Sequence, residues 1–350
     1  MNYFVIPHSR PQVSDADIRA VAAVLQSGQL SQGPQVQKFE KKIANYIGKK
    51  KAVATSSGTA ALHLALLALD VKEEDEVIIP SYVCTAVLNA VNYTGAVPHI
   101  VDINPLTYNI SPDEVRKTVT EKTKAIVVPH MFGCPAEMGK LSELEIPIIE
   151  DCAQSVGAEY LGQKVGSFGL LSVFSFYATK VMTSGEGGMV LCDSEDLIAK
   201  IRELRDYDHR EDYSLRYNYK MTDMQAALGS AQLVRLEKFL HRRYEIASRY
   251  FEEFKKCRLS LPDRREGKEH IYYRFVVKTK ENCSSYLKKL HAKKIMCQRP
   301  VFTPLHVYLN QTGFPVASEA WEKTMSIPLY PSLSDEEVGR IIAAIQEVFI

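Results

Sequence analysis

The stretch KAVATSSGTAALHLALLALDVKEEDEVIIP, residues 51 to 80, sets the reading of the fold. KAVAT and EVIIP are short, continuous apolar runs, the pattern of strands buried on both faces of a mainly parallel sheet, and the segment between them reads as a helix. The alternation continues downstream in VPHIV (97 to 101), KAIVVP (124 to 129), IPIIED (146 to 151), LLSVFSF (170 to 176) and GGMVLC (187 to 192). Upstream, Ser14 can cap a helix whose apolar positions Ile18, Val21 and Leu25 keep helical spacing until Gly28 stops it. A Gly/Pro loop from Gly28 to Pro34 then leads into an amphipathic helix through Phe39 and Ile43. From about Thr222 the character changes: MTDMQAALGSAQLVRLEKFLHRRYEIASRYFEEFKK reads as one long connecting helix, with Gly229 its only blemish. A strand YYRFVVK (272 to 278), a helix near 282 to 292, Pro-rich loops from Arg299 to Pro331 and a helix from Asp335 follow. The expected architecture is an α/β large domain, residues 1–235, and a small α+β domain, residues 236–350.

The 350 residues carry 43 Lys plus Arg against 42 Asp plus Glu, a net charge of +1, with 46% hydrophobic residues. A nucleic-acid binder carries a basic excess and a disordered chain is poor in apolar residues, so both classes are excluded. The seven cysteines are scattered, with no C-x-x-C pair, which points to reduced thiols, a cytoplasmic location, no disulfide framework and no metal site. No run reaches the length of a membrane span and MNYFVIPHSRP lacks the marks of a signal peptide, so a soluble protein is expected.

Chemistry concentrates in separate segments. TSSGTAALHLALLAL, from Thr55, carries a strand into a helix through Ser57, Gly58 and Thr59. Free N–H groups, a positive dipole end and hydroxyl donors make an anion cup there, although Ser57 or Thr59 serving only as helix cap fits equally. IPIIEDCAQS ends a buried strand on Glu150 and Asp151, and ligands of open α/β sheets sit beyond the carboxyl ends of strands. Side chains alternate, so one of the two acids faces the other way; a merely solvated acid is the plain alternative. VFSFYATKVMTSGEGGMV, residues 173 to 190, places Ser175 at a strand end and Lys180 five residues on, in a stretch with no other charge from Phe174 to Gly185. A lone lysine is ordinarily a solvated surface residue; here burial is expected, and a lowered pKa would make the amine nucleophilic. An anion cup, an acid and a lysine are the parts of a pyridoxal phosphate site: donors for phosphate, a carboxylate to keep the ring nitrogen protonated, and an amine for the Schiff base.

The segments IPHSRPQVSDADI, SGQLSQGPQVQKFE, SSGTAALHLALLAL, IIEDCAQSVGAEYLGQKVGSFG, FSFYATKVMTSGEGG, YNYKMTDMQAALG and IPLYPSLSDEEV resemble the DegT/DnrJ/StrS family of pyridoxal phosphate-dependent sugar aminotransferases. The resemblance implies an aspartate-aminotransferase-like fold (fold type I) and transfer of an amino group from an amino acid, glutamate by family likeness, to a nucleotide-linked keto sugar. It implies Lys180 as the Schiff-base lysine and Asp151 as the acid on the pyridine nitrogen. Gln154 would lie beside the cofactor ring, and Ser57, Gly58, Thr59 and Ser175 would cradle the phosphate. Asn218 resembles a residue that reaches the neighbouring subunit's cofactor, which implies a homodimer. Cys84 fills a position where several relatives stack an aromatic ring on the cofactor, so either it packs edgewise or Tyr82 compensates. Ser31, His306 and Tyr330 lie in segments that resemble substrate-facing loops, as does RDYDHRED, whose cations could bind a diphosphate. Dehydratase relatives carry His where this chain has Lys180, which disfavours that activity. A catalytically idle cofactor-binding protein is disfavoured by intact Lys180, Asp151 and Ser175.

Overall fold

The computed structural model describes residues 4–264 and 266–350. Strands β1 (Lys51–Thr55), β2 (Glu76–Pro80), β3 (Val97–Val101), β4 (Thr123–Pro129) and β5 (Ile148–Asp151) belong to one seven-stranded sheet. A side hairpin of two-residue strands, β6 (Glu159–Tyr160) and β7 (Gln163–Lys164), precedes the last two members, β8 (Leu171–Ser175) and β9 (Gly188–Cys192). The order is β1-β9-β8-β5-β4-β2-β3. Pairs β2 with β3, β2 with β4, β4 with β5 and β5 with β8 are parallel; β9 alone runs against its neighbours, β1 and β8. Burial explains the continuous apolar runs: Val53, Val77, Ile79, Val127, Ile149, Leu171 and Val190 are all fully enclosed between the helices on the two faces.

The expected long connecting helix is two helices. Asp223–Val234 stops at Arg235, whose backbone (φ −105°, ψ 4°) leaves helical geometry before Leu236–Glu253 begins. The guanidinium of Arg235 is held by the buried carboxylate of Asp17 and lies 5.0 Å from the Phe239 ring centroid, which pins the corner. Gly229 has a packing reason, because a Cβ there would stand 2.6 Å from the ring of Phe39 on the helix Pro34–Ile47. The first helix, Asp15–Ser27, is capped by Ser14 and ended by Gly28 as expected, yet Ile18 and Leu25 are exposed and its buried residues are Asp17 and Val24.

Beyond the corner, strands β10 (Leu259–Ser260), β12 (Phe275–Thr279) and β13 (Thr324–Ile327) form a three-stranded antiparallel sheet, while β11 (Lys268–Glu269) joins the β6 hairpin. A second apolar core gathers Tyr250, Phe254, Phe275, Leu290, Ile327, Ile341 and Ile345 with Ile6, which bridges to Ile295, so the amino-terminal residues pack with this carboxyl-terminal layer. Among the described residues none of the seven cysteines is in a disulfide. Among the described residues no helix is long and apolar enough to cross a membrane.

Candidate active site

Three parallel strands deliver the site. β1, β5 and β8 run the same way and end at Thr55, Asp151 and Ser175, with β9 between β1 and β8, and a cleft of about 230 Å³ opens beyond those ends. Ser57, Gly58, Thr59, Cys84, Asp151, Ser175 and Lys180 all line it, joined by Tyr177 and Glu186.

At one end of the cleft the helix Gly58–Ala68 begins. Ser57 is its cap, with the hydroxyl accepting the Ala60 N–H at 3.1 Å, and the first N–H groups of the helix have no carbonyl below them. Cap and cup are therefore one structure. Gly58 is required by close approach: a Cβ there would lie 2.8 Å from Cβ of Ser175 and 3.2 Å from its Oγ. Gly188 is required from behind, since its Cβ would lie 2.2 Å from the Ser57 carbonyl oxygen. Arg205 supports the same corner; it is buried, paired with Glu40 at 3.1 Å, and donates to the Ala54 carbonyl at 2.8 Å.

The two acids of IPIIED diverge as strand alternation requires. Glu150 points away, fully buried; burial would raise it, but His130 at 3.0 Å and the N–H groups of Gly166, Phe168 and Gly169 hold it below the usual carboxylate range. Cys152 stands with this pair, the three ligand atoms within 4.8 Å of one another. The Glu150 oxygens are already saturated by N–H donors, and His130 Nδ1 accepts from Ala136 at 3.0 Å, so the pair is a structural knot whose lone pairs are in use.

Asp151 faces the cleft. One oxygen accepts the Ala153 N–H at 2.9 Å, and among the described residues no Lys, Arg or His lies within ion-pair distance. Burial raises its pKa, opposed by that N–H and by the charges of Lys180 and His130. A buried acid that lacks a cationic partner fits a protonated ring nitrogen, and the cup fits a phosphate at the other end of the same molecule. Lys180 is half-buried, less enclosed than its sequence context suggests.

Other expected residues lie elsewhere. Gln154 is outside the cleft lining, and its Oε1 accepts the Phe132 N–H at 2.9 Å. Tyr82 does not compensate for Cys84: it is fully buried, 2.8 Å from the Thr324 hydroxyl. His306 is buried between Ser81 Oγ at 2.6 Å and Ser318 Oγ at 3.1 Å, with both ring nitrogens used. Tyr330 lies under the Arg10 guanidinium, in an adjoining cavity of about 20 Å³ that Lys180 also lines. Ser31 is exposed, in a loop held because Asp223 donates its N–H to the Ser31 carbonyl at 3.1 Å and accepts from Gly33, Gln35 and Val36. Asn218 is exposed between Tyr217 and Tyr219, whose rings stack at 5.0 Å. The cations of the RDYDHRED segment and its surroundings are spent on neighbours: Arg210 and Arg216 on Glu203, Lys220 on Asp206 and Asp208. Tyr177 and Glu186 were missed as cleft residues, although both flank Lys180 in the segment that carries it.

Comparison with known proteins gives the family. The pattern of the DegT/DnrJ/EryC1/StrS aminotransferase family matches residues 11–346. GDP-perosamine synthase of Escherichia coli O157:H7 is 36% identical over 98% of each chain, and the spore coat polysaccharide biosynthesis protein SpsC of Bacillus subtilis is 35% identical over 99% of this chain and 97% of its own. Among solved structures, the aminotransferase TlmJ of Streptoalloteichus hindustanus superposes with a TM-score of 0.94 at 29% identity, covering 99% of this chain and 98% of its own. Spr1654 of Streptococcus pneumoniae in its PLP form superposes at 0.92 with 28% identity, covering 99% of this chain and 100% of its own. With a fold type I architecture, the chain belongs to the DegT/DnrJ/EryC1/StrS aminotransferase family and is a pyridoxal phosphate-dependent aminotransferase.

Proposed function

We propose that this aminotransferase moves an amino group from glutamate to the keto group of a nucleotide-linked keto-deoxy sugar in the cytoplasm, with Lys180 carrying the cofactor and Asp151 holding its ring nitrogen. The observation that carries the residue roles is the single cleft in which Lys180 and Asp151 meet the Ser57, Gly58, Thr59 and Ser175 cradle. The names GDP-perosamine synthase and spore coat polysaccharide biosynthesis protein among the relatives support a sugar acceptor.

Pyridoxal phosphate, when bound, supplies an electron sink for the bond broken at the donor's α-carbon. The chain supplies the rest. The helix N-terminus and the hydroxyls of Ser57, Thr59 and Ser175 bind the phosphate by hydrogen bonds and dipole. The Asp151 carboxylate keeps the ring nitrogen protonated, a charge pair strengthened by its burial. The Lys180 amine would carry the proton between the donor's α-carbon and the cofactor, as base and then acid, and would work in the opposite sense with the sugar. Cys84, on the cleft wall, leaves one side of the cofactor lightly covered.

Purified protein is expected to absorb in the visible and to lose that absorption in Lys180→Ala. A panel of nucleotide keto-sugars with glutamate or glutamine is then scored by product mass. An amino sugar supports the proposal; a deoxygenated sugar overturns it in favour of dehydration.

A further inference from the structure

The carboxyl-terminal layer sends one side chain to Lys180. Lys180 Nζ lies 5.5 Å from the ring centroid of Tyr273, and the guanidinium of Arg274 lies 5.1 Å from the same ring. Tyr273 is buried, in the segment that leads into β12.

Its backbone is fixed from several sides. Arg243, a buried arginine, donates to the carbonyls of Tyr272 at 3.2 Å, Tyr273 at 3.3 Å and Leu329 at 3.1 Å. The Ile271 N–H donates to the Gly133 carbonyl at 3.1 Å, and the Arg274 N–H to the Phe132 carbonyl at 3.2 Å. Gly133 makes this docking possible: its φ is +90°, and a Cβ would lie 2.7 Å from Ile271 Cγ1 and 3.0 Å from the Tyr273 nitrogen. The turn that receives Tyr273 is itself held by Gln154, three residues past Asp151. One run of contacts thus joins the acid's strand to a phenol beside the lysine, and Arg243, a long side chain with much rotamer freedom to lose, is ordered at its centre.

From this geometry we infer that Tyr273 is a positioning residue for Lys180: its ring and phenol hold the amine and share its proton whenever that amine is not bonded to the cofactor. The inference rests on Lys180 being the cofactor-bearing lysine. The exchange balances within the pair, since phenol plus amine becomes phenolate plus ammonium and no other group gains or loses a proton.

The surroundings draw the phenol's proton affinity down. Burial raises the phenol, but Lys180, Arg274, the Thr179 hydroxyl and Arg243 together bring it down to about 8. On the far side of Arg274 stands His8, lowered to about 2 by burial and by that guanidinium, so it adds no charge. Asp151, Cys84 and Glu186 line the cleft with Lys180, while Arg10 and Tyr330 line the adjoining cavity.

The test uses full-length protein loaded with pyridoxamine phosphate, in which the lysine amine is free. Phenolate absorbance is titrated in wild type and in Tyr273→Phe, and the difference isolates one phenol with a midpoint near pH 8. Repeated in a Lys180→Met background, the same difference is expected to show the midpoint raised by about one pH unit or more, because the nearest cation is gone. A midpoint that stays put overturns the pairing. In the donor-driven half-reaction of protein loaded with pyridoxal phosphate instead, Tyr273→Phe is expected to lose the limb of the pH profile near 8, and Tyr273→Leu, which removes the ring as well, to fall about tenfold further. An unchanged profile in a Tyr273→Phe protein that melts with wild type also overturns it. Should Lys180→Ala keep its visible absorption, the reading of Lys180 fails, while the phenol-to-amine coupling is still read independently by the absorbance titration.

Discussion

At the residue scale the site shows how one strand sorts neighbouring acids by direction. Glu150 turns into a bed of N–H donors and is stabilised as a carboxylate, whereas Asp151 turns into the cleft and is buried short of a partner. The folded chain holds the Asp151 proton more tightly than the unfolded chain does, so this carboxyl costs stability at neutral pH. Asp151→Asn is expected to raise the melting temperature of cofactor-free protein while lowering turnover about 100-fold or more, because an amide cannot hold the ring proton. Melting and steady-state rates on the same preparation check both halves. His63 makes the opposite argument about pH. It is buried on the helix behind the cup, 3.2 Å from the Tyr219 hydroxyl, and burial lowers it from 6.5 to about 4. Below pH 6.5 the unfolded chain binds a proton that the folded chain refuses, so this contribution is present at neutral pH and lost as pH falls towards 4. Wild type is expected to lose roughly 2 kcal/mol through His63 over that window, and His63→Leu to lose correspondingly less in denaturant titrations at pH 7 and pH 5.

At the element scale, the strands and the first helix were legible because their signals are local: apolar runs, a Ser cap and a Gly stop. The single long helix was not, because the break at Arg235 comes from a contact with Asp17, distant in sequence. Gly229 reads as a helix weakness in the sequence but is a contact surface in the fold. Helix propensity alone would make Gly229→Ala stabilising by about 1 kcal/mol. Overpacking against Phe39 wins instead, and the variant is expected to be destabilised by about 1–3 kcal/mol in urea unfolding. A stabilised variant would show that the helices Pro34–Ile47 and Asp223–Val234 can move apart at no cost.

At the scale of the whole molecule, several large apolar side chains lie exposed. Ile18 and Leu25 face outward from the first helix, and Tyr213 and Leu215 are exposed near Asn218. We propose that a second copy of this chain covers these surfaces, with Asn218 reaching the neighbouring cup. The expected outcome is a dimer by light scattering and intersubunit complementation. Lys180→Ala and Asn218→Ala proteins, each inactive or weak alone, should regain activity when unfolded and refolded together, because a mixed dimer holds one site with both native residues. No recovery in mixed dimers would place Asn218 outside the shared site.

The sequence by itself determined the mainly parallel α/β sheet, the helix start at Ser57, Gly58 and Thr59, and the strand ends at Asp151 and Ser175, because strand ends and helix starts are what local patterns encode. The tertiary structure decided which acid enters the cleft, that Tyr82 and His306 serve packing, that Gln154 and Arg243 fix a turn, and that Tyr273 comes to Lys180. Those outcomes depend on contacts between residues far apart in the chain, such as Arg235 with Asp17 and Ile271 with Gly133, and periodicity carries no information about them.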